Sequence, residues 1–140
     1  KLMYQEAEQY INSIIPQVPV DLIQPLAEKI ENGVKFMYIL PEDAIVPSGT
    51  AEATEKVSWR SLLTEGKAER RMVSKVMVAT IVTDKSSCVL FPNQKDQTDM
   101  DVMFYSKNTV FHDWCQDYFR YVWYSSELFD RSKLKIKTID

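Results

Sequence analysis

Three glycines, two cysteines and one histidine are all that 140 residues offer of three chemically decisive residue types. Gly33, Gly49 and Gly66 stand too far apart to write either GxxxxGKS/T or GxGxxG, which excludes a glycine-rich loop wrapped around a phosphate. A GxSxG nucleophile elbow is missing as well. Cys88 and Cys115 form no CxxC pair and are too few for a disulfide framework, so both are expected to be structural thiols in a reducing, cytoplasmic setting. His112 has no HExxH, HxH or CxxC companion, which leaves no zinc-type ligand set and points to a structural role; no cofactor and no metal is expected. Long apolar runs are missing too. The longest, around Val76 to Val82, falls far short of the ~20 residues of a membrane-crossing helix, so no membrane partner is expected.

Basic charge is also scarce. A net charge of −3 and a pI near 5.2 oppose direct binding of nucleic acid by this segment, because duplex binding needs clustered Lys and Arg to displace counterions. The one concentration, Lys67, Arg70, Arg71 and Lys75, is broken by Glu65 and Glu69.

What is present is a balanced globular composition, 45% hydrophobic and 26% charged, expected to form a single domain over residues 1–140. The start at Lys1, without a charged-then-apolar leader, suggests an excised domain or a chain trimmed at its start, which leaves room for a partner domain on the N-terminal side. Apolar spacing predicts an amphipathic helix from Leu2 to Ile15, stopped by Pro16. A second helix runs from Asp21 to Gly33, which is suited to the left-handed residue past a helix end. Val34 to Leu40 is apolar almost throughout and reads as a central strand covered on both faces. Glu42 to Thr50 reads as a loop, and Ala51 to Ala68 as one or two short helices. Met72 to Thr83 is expected as a second strand and Cys88 to Phe91 as a third, joined by a turn at Asp84–Ser87. Pro92 to Asp101 is a polar loop and Val102 to Tyr105 a short fourth strand. Asn108 can cap a terminal helix whose stripe of Phe111, Trp114, Cys115, Tyr118, Phe119, Val122 and Trp123 is expected to be core, with Tyr121 and Tyr124 left for a partner surface. The tail, alternating Leu134 and Ile136 with lysines, reads as an edge strand or an extended arm. The fold class is α/β, a central sheet flanked by helices.

Few residues carry candidate chemistry. Asp96, Asp99 and Asp101 resemble a calcium loop only loosely, since the glycine and the final bidentate glutamate of an EF-hand are missing. Arg70 and Arg71 at the entrance to a strand, with Trp59 and Arg60 upstream, can grip an anionic, planar ligand. The alternative for Arg71 is an ion pair with an acid such as Asp84. The ligand site is expected at the strand ends, near Tyr38, Trp59, Arg60, Arg71 and Asp84.

Three stretches carry a family resemblance: PVDLIQPLAEKIENGVKFMYIL, then ERRMVSKVMVATIVTDKSSCVLFP, then DVMFYSKNTVFHDWCQDYFRYVWYSSE. In this order they resemble the effector-sensing domain of archaeal winged-helix transcription regulators, the TrmB-like and methanogenesis-regulator group. That group is itself similar to a degenerate phospholipase D fold. The resemblance implies a ligand-sensing, homodimeric domain, with a small-molecule effector and with DNA bound only through an absent N-terminal winged helix. True phospholipases of this fold carry HxKxxxxD; here His112 is followed by Asp113 and Trp114, so the lysine is missing and sensing rather than hydrolysis is implied. Two rival readings stay open: a pure protein–protein assembly domain, and a degenerate phospholipase D-like phosphodiesterase.

Overall fold

The structure, a computed structural model, describes residues 2–135 and the backbone of residues 137–139. A seven-stranded sheet forms its centre, in the order β7-β6-β5-β1-β2-β4-β8. The strands are β1 (Tyr10–Ile14), β2 (Lys35–Pro41), β4 (Ala68–Val73), β5 (Ala79–Thr83), β6 (Ser87–Leu90), β7 (Phe104–Ser106) and β8 (Glu127–Leu128). β1, β2 and β4 run parallel, and the direction reverses between β1 and β5. A separate two-stranded ladder joins β3 (Ile45–Pro47) to β9 (Lys137–Ile139). The expected α/β class and flanked central sheet are what the chain adopts.

Helices α1 (Leu2–Glu6), α2 (Val20–Glu31), α3 (Thr50–Lys56) and α4 (Trp59–Thr64) lie on one side of the sheet; α5 (Thr109–Ser125) crosses the other, over β1, β5 and β6. Alternation along β2 serves both layers. Phe36 and Tyr38 face α2 and α4, and Ile39 faces the α5 side. α2 buries Ile23, Leu26, Ala27 and Ile30, one face of a 3.6-residue period. It closes on Gly33 at φ 102°, a conformation that only glycine adopts without steric cost. The expected glycine turn between helix and strand is therefore present. The helix starts after Pro19 rather than on an Asp21 cap, and Asp21 instead sits in the first turn, where its charge suits the helix dipole.

Several expected elements differ, among them the loop drawn from Glu42 to Thr50, which contains the short strand β3 because the chain's tail pairs with it. The helix drawn from Leu2 to Ile15 ends at Glu6, and Tyr10–Ile14 is β1, hydrogen-bonded on both sides. Apolar residues at Tyr10, Ile11 and Ile14 satisfy a helical period and a doubly covered strand equally well, and the two neighbouring strands decide between them. The single strand drawn from Met72 to Thr83 is two, β4 beginning at Ala68 and β5 at Ala79, at separate places in the sheet. The turn at Asp84–Ser86 is present and is closed by Thr83, whose Oγ1 accepts from the Lys85 and Ser86 N–H groups. α5 starts on its predicted cap: Asn108 Oδ1 accepts from the N–H groups of Val110 and Phe111. The tail forms β9, which pairs with β3 in the separate two-stranded ladder and not at an edge of the central sheet, while Ile136 lies outside the described residues.

Candidate functional site

The five expected ligand residues do not meet in one site. Tyr38 and Trp59 do come together, but inside the core. The Trp59 indole N–H donates to the Tyr38 hydroxyl at 3.1 Å, and Phe36 stacks on Tyr38 with centroids 4.7 Å apart. Both side chains are buried, and burial pushes the Tyr38 phenol above its ordinary pKa, against the hydrogen bond from Trp59. Arg60, one residue along α4, points to solvent.

Arg71 belongs to the other side of the sheet. It pairs with Ile39 in the β2–β4 register while Arg70 pairs with Tyr38, and successive strand residues face opposite ways. Its Nε donates to Ser126 Oγ at 2.7 Å and its Nη2 to the Ser126 carbonyl at 2.5 Å. The guanidinium also lies 5.6 Å from the Trp123 ring centroid. The expected alternative of an Arg71–Asp84 ion pair is not formed either. Asp84 sits at the opposite end of the parallel strands, where its Oδ1 accepts from the N–H groups of Glu8 and Gln9 at 3.1 Å and of Tyr10 at 3.5 Å. Burial raises the Asp84 carboxyl, but these backbone donors outweigh it and hold the group below its usual range. Asp84 thus fixes the chain entering β1. The guanidinium and the carboxylate are separated because both already have local structural partners.

A different constellation does converge. Tyr10 at the start of β1 and His112, Asp113, Gln116, Asp117 and Arg120 on α5 line an open cleft of about 480 Å³. His112 Nε2 stands 2.9 Å from the Thr83 carbonyl and 3.2 Å from the Tyr10 hydroxyl. A carbonyl only accepts, so Nε2 carries the ring proton and donates it to Thr83. Nδ1 is left 4.0 Å from Asp113 Oδ1. Beside this pair Asn12 Nδ2 donates to Gln116 Oε1 at 3.1 Å. Burial, together with the charge of Asp84, holds the Tyr10 phenol above its ordinary pKa. The expected structural role of His112 is present in its bond to Thr83, yet its ring also forms one wall of the cleft. Sequence reasoning passed over Tyr10, Gln116 and Arg120. The readable signal was the spacing of His112, Gln116 and Arg120 at intervals of four, which aligns them on one stripe of a helix.

A second, smaller hollow of about 240 Å³ opens at the carboxyl ends of β2 and β4, between Glu42, Ser74, Ser126 and Glu127. Ser126 there is held by Arg71, and Glu127 by Lys133 at 2.9 Å. Among the described residues no three His, Cys, Asp or Glu side chains are grouped to hold a metal ion. Among them also no helix is long and apolar enough to cross a membrane.

No known family profile matches the chain, and no curated protein matches it. Solved structures do. The chain is similar in fold to TrmBL2, described as an archaeal chromatin protein with a novel mode of DNA binding. The TM-score is 0.70 at 16% identity, over 91% of this chain and 48% of that one. It is also similar to Nuc from Salmonella typhimurium, a phospholipase D family member, with a TM-score of 0.59 at 10% identity, over 90% of this chain and 85% of that one. At such identities the likeness is one of fold, an α/β domain with a central sheet flanked by helices, and the chain spans about half the length of TrmBL2.

Proposed function

We propose that this is a non-catalytic sensing domain of an archaeal transcription regulator, homodimeric, with its effector in the Tyr10–His112–Arg120 cleft. The observation that supports the reading is the likeness in fold to 48% of the length of TrmBL2, a protein described as binding DNA. The acidic balance agrees, since a chain of net charge −3 lacks the basic footprint of a duplex binder. In this reading the effector binds two arrangements of the dimer with unequal affinity and so biases the placement of paired winged helices.

The cleft suits a polar small molecule. Arg120 offers a guanidinium for an anionic or carbonyl group, Gln116 an amide, Asp113 and Asp117 two acceptors, and the Tyr10 and His112 rings a wall. The absence of catalysis is argued from His112. Its Nε2 proton is committed to the Thr83 carbonyl, and Trp114 stands where the phospholipase motif requires lysine.

The test is thermal unfolding of the chain against a library of metabolites, nucleotides and anions. An effector at about 100 times its Kd adds roughly 2.7 kcal/mol to the folded state. A saturable shift that disappears in Arg120→Ala and Gln116→Ala is expected; a flat response across the library would overturn the sensing reading. The Nuc-like fold favours one rival, a phosphodiesterase. Hydrolysis of a generic aryl phosphodiester that is lost in His112→Ala would establish it instead.

A further inference from the structure

The Tyr10–His112–Arg120 cleft sorts its hydrogen-bonding groups by sense. His112 Nε2 donates to the Thr83 carbonyl at 2.9 Å, so in the neutral ring Nδ1 carries no proton and only accepts. It stands 4.0 Å from Asp113 Oδ1, a second acceptor. Neither atom has a proton to give the other, and a single nitrogen about 2.9 Å from each satisfies both.

Beside these acceptors stand donors. The Tyr10 oxygen lies 3.2 Å from the same Nε2 and accepts from it, which leaves the phenolic O–H without an acceptor among the described residues. Burial and the charge of Asp84 hold the phenol above its ordinary pKa, so the proton stays on; Arg120 and Gln116 pull the other way, which marks both as neighbours of the hydroxyl. Gln116 Oε1 is taken by Asn12, leaving the amide NH2 as the end free to donate. Arg120 follows one turn along α5, in an exposed pair with Asp117 at 3.6 Å that leaves most of its N–H groups to solvent.

We propose that the cleft binds a zwitterionic amino acid, its carboxylate held by Tyr10, Gln116 and Arg120 and its ammonium by His112 Nδ1 and Asp113. The proposal rests on the sensing reading above and names the class of effector. Charge selects it. A plain anion meets Asp113 and Asp117, and a polyamine meets Arg120, at a range where like charges repel; a neutral sugar pairs with none of the three. Spacing agrees, because Asp113 and Gln116 are about 4.5 Å apart along the helix axis at 1.5 Å per residue, within reach of a small molecule that carries both groups. The cleft of about 480 Å³ leaves room for a side chain, which these contacts do not select.

Isothermal titration of the chain with each common amino acid, beside inorganic phosphate, spermidine and glucose, tests the assignment. At least one amino acid is expected to bind saturably. Its decarboxylated amine and its N-acetyl derivative should each bind about tenfold more weakly or worse, having lost one charge-assisted contact. Variants then read which side chain meets which charge. Arg120→Ala should weaken the amino acid about tenfold and leave the amine unchanged, while Asp113→Asn should weaken the amino acid and leave the N-acetyl derivative unchanged. Both side chains are exposed, so the unliganded melting temperature should stay at its wild-type value. An amino acid that binds no better than its amine and its N-acetyl derivative overturns the proposal, as does binding that neither variant weakens. Binding of phosphate, spermidine or glucose alone, lost in Arg120→Ala, overturns the zwitterion and leaves the sensing cleft standing. No binding by any amino acid also overturns it, and the sensing reading falls with it only if the metabolite library gives a flat response as well.

Discussion

Arg71 on β4 holds the end of α5 through Ser126. Its Nε donates to the hydroxyl at 2.7 Å and its Nη2 to the carbonyl of the same residue, just as β8 begins and pairs back onto β4. One guanidinium thus satisfies two acceptors left by a terminating helix, and it ties the longest helix to the parallel edge of the sheet. Removing it leaves the Ser126 carbonyl without this donor at a buried residue. Arg71→Ala is expected to lower the unfolding free energy by about 2 kcal/mol, measured by urea denaturation with an unchanged m-value. Arg71→Lys should recover only part of this, because an ammonium does not reproduce the planar fork. Wild-type stability in Arg71→Ala would show that the clamp contributes nothing.

Asp84 makes a pH-dependent contribution. Its side chain is 9% exposed, and its pKa is lowered by the N–H groups of Gln9, Glu8 and Tyr10 acting against burial. A carboxyl depressed in the folded state contributes fully above its unfolded pKa, and the contribution is lost as pH falls through the folded value. Asp84→Asn should therefore be less stable than wild type by about 2 kcal/mol at pH 7. The gap should close as the pH falls through the lowered folded-state pKa of Asp84, where both chains become neutral at this position. A gap that persists undiminished in acid would contradict the charge-based account.

Tyr38 and Trp59 form a buried polar contact within an aromatic cluster. Tyr38→Phe removes the acceptor and strands the Trp59 indole N–H away from water, at a cost of about 2 kcal/mol. Because Trp59→Phe removes the donor, the double variant should be less destabilised than the sum of the two singles. The coupling read from that cycle tests the bond, and strict additivity would deny it.

The two thiols are expected to be inert. Cys88 and Cys115 are buried, and burial pushes both up to about 11. Thiolate, the reactive form, is then scarce at neutral pH. A disulfide reagent at pH 8 should label neither thiol in the folded chain and both in urea. Prompt labelling of the native protein would instead open a redox role for one of them.

What the sequence determined by itself was local. The Gly33 turn, the Asn108 cap and the doubly buried β2 follow from conformational limits and short-range periodicity, and each stands where those limits put it. The α/β class follows from the same signals in series. Tertiary structure decided what periodicity leaves degenerate. Tyr10–Ile14 is a strand because β2 and β5 bond it on both sides, although its apolar spacing also fits a helix. The apolar stripe of α5 placed Trp114 in the expected core, but the helix turns Cys115 and Phe119 onto the strands and leaves Trp114 50% exposed.

The candidate site was less legible for the same reason. Side chains separated by long stretches of chain meet only through the sheet order. Asp84 finds its donors 74 to 76 residues upstream, and Tyr10 meets a histidine 102 residues downstream. Arg71, Asp84 and the Tyr38–Trp59 pair were already satisfied by partners that no spacing rule reveals, while Arg60 points to solvent. Hydrogen-bond demand inside a folded chain is met by whatever the topology brings near, and the topology is a property of all the strands at once.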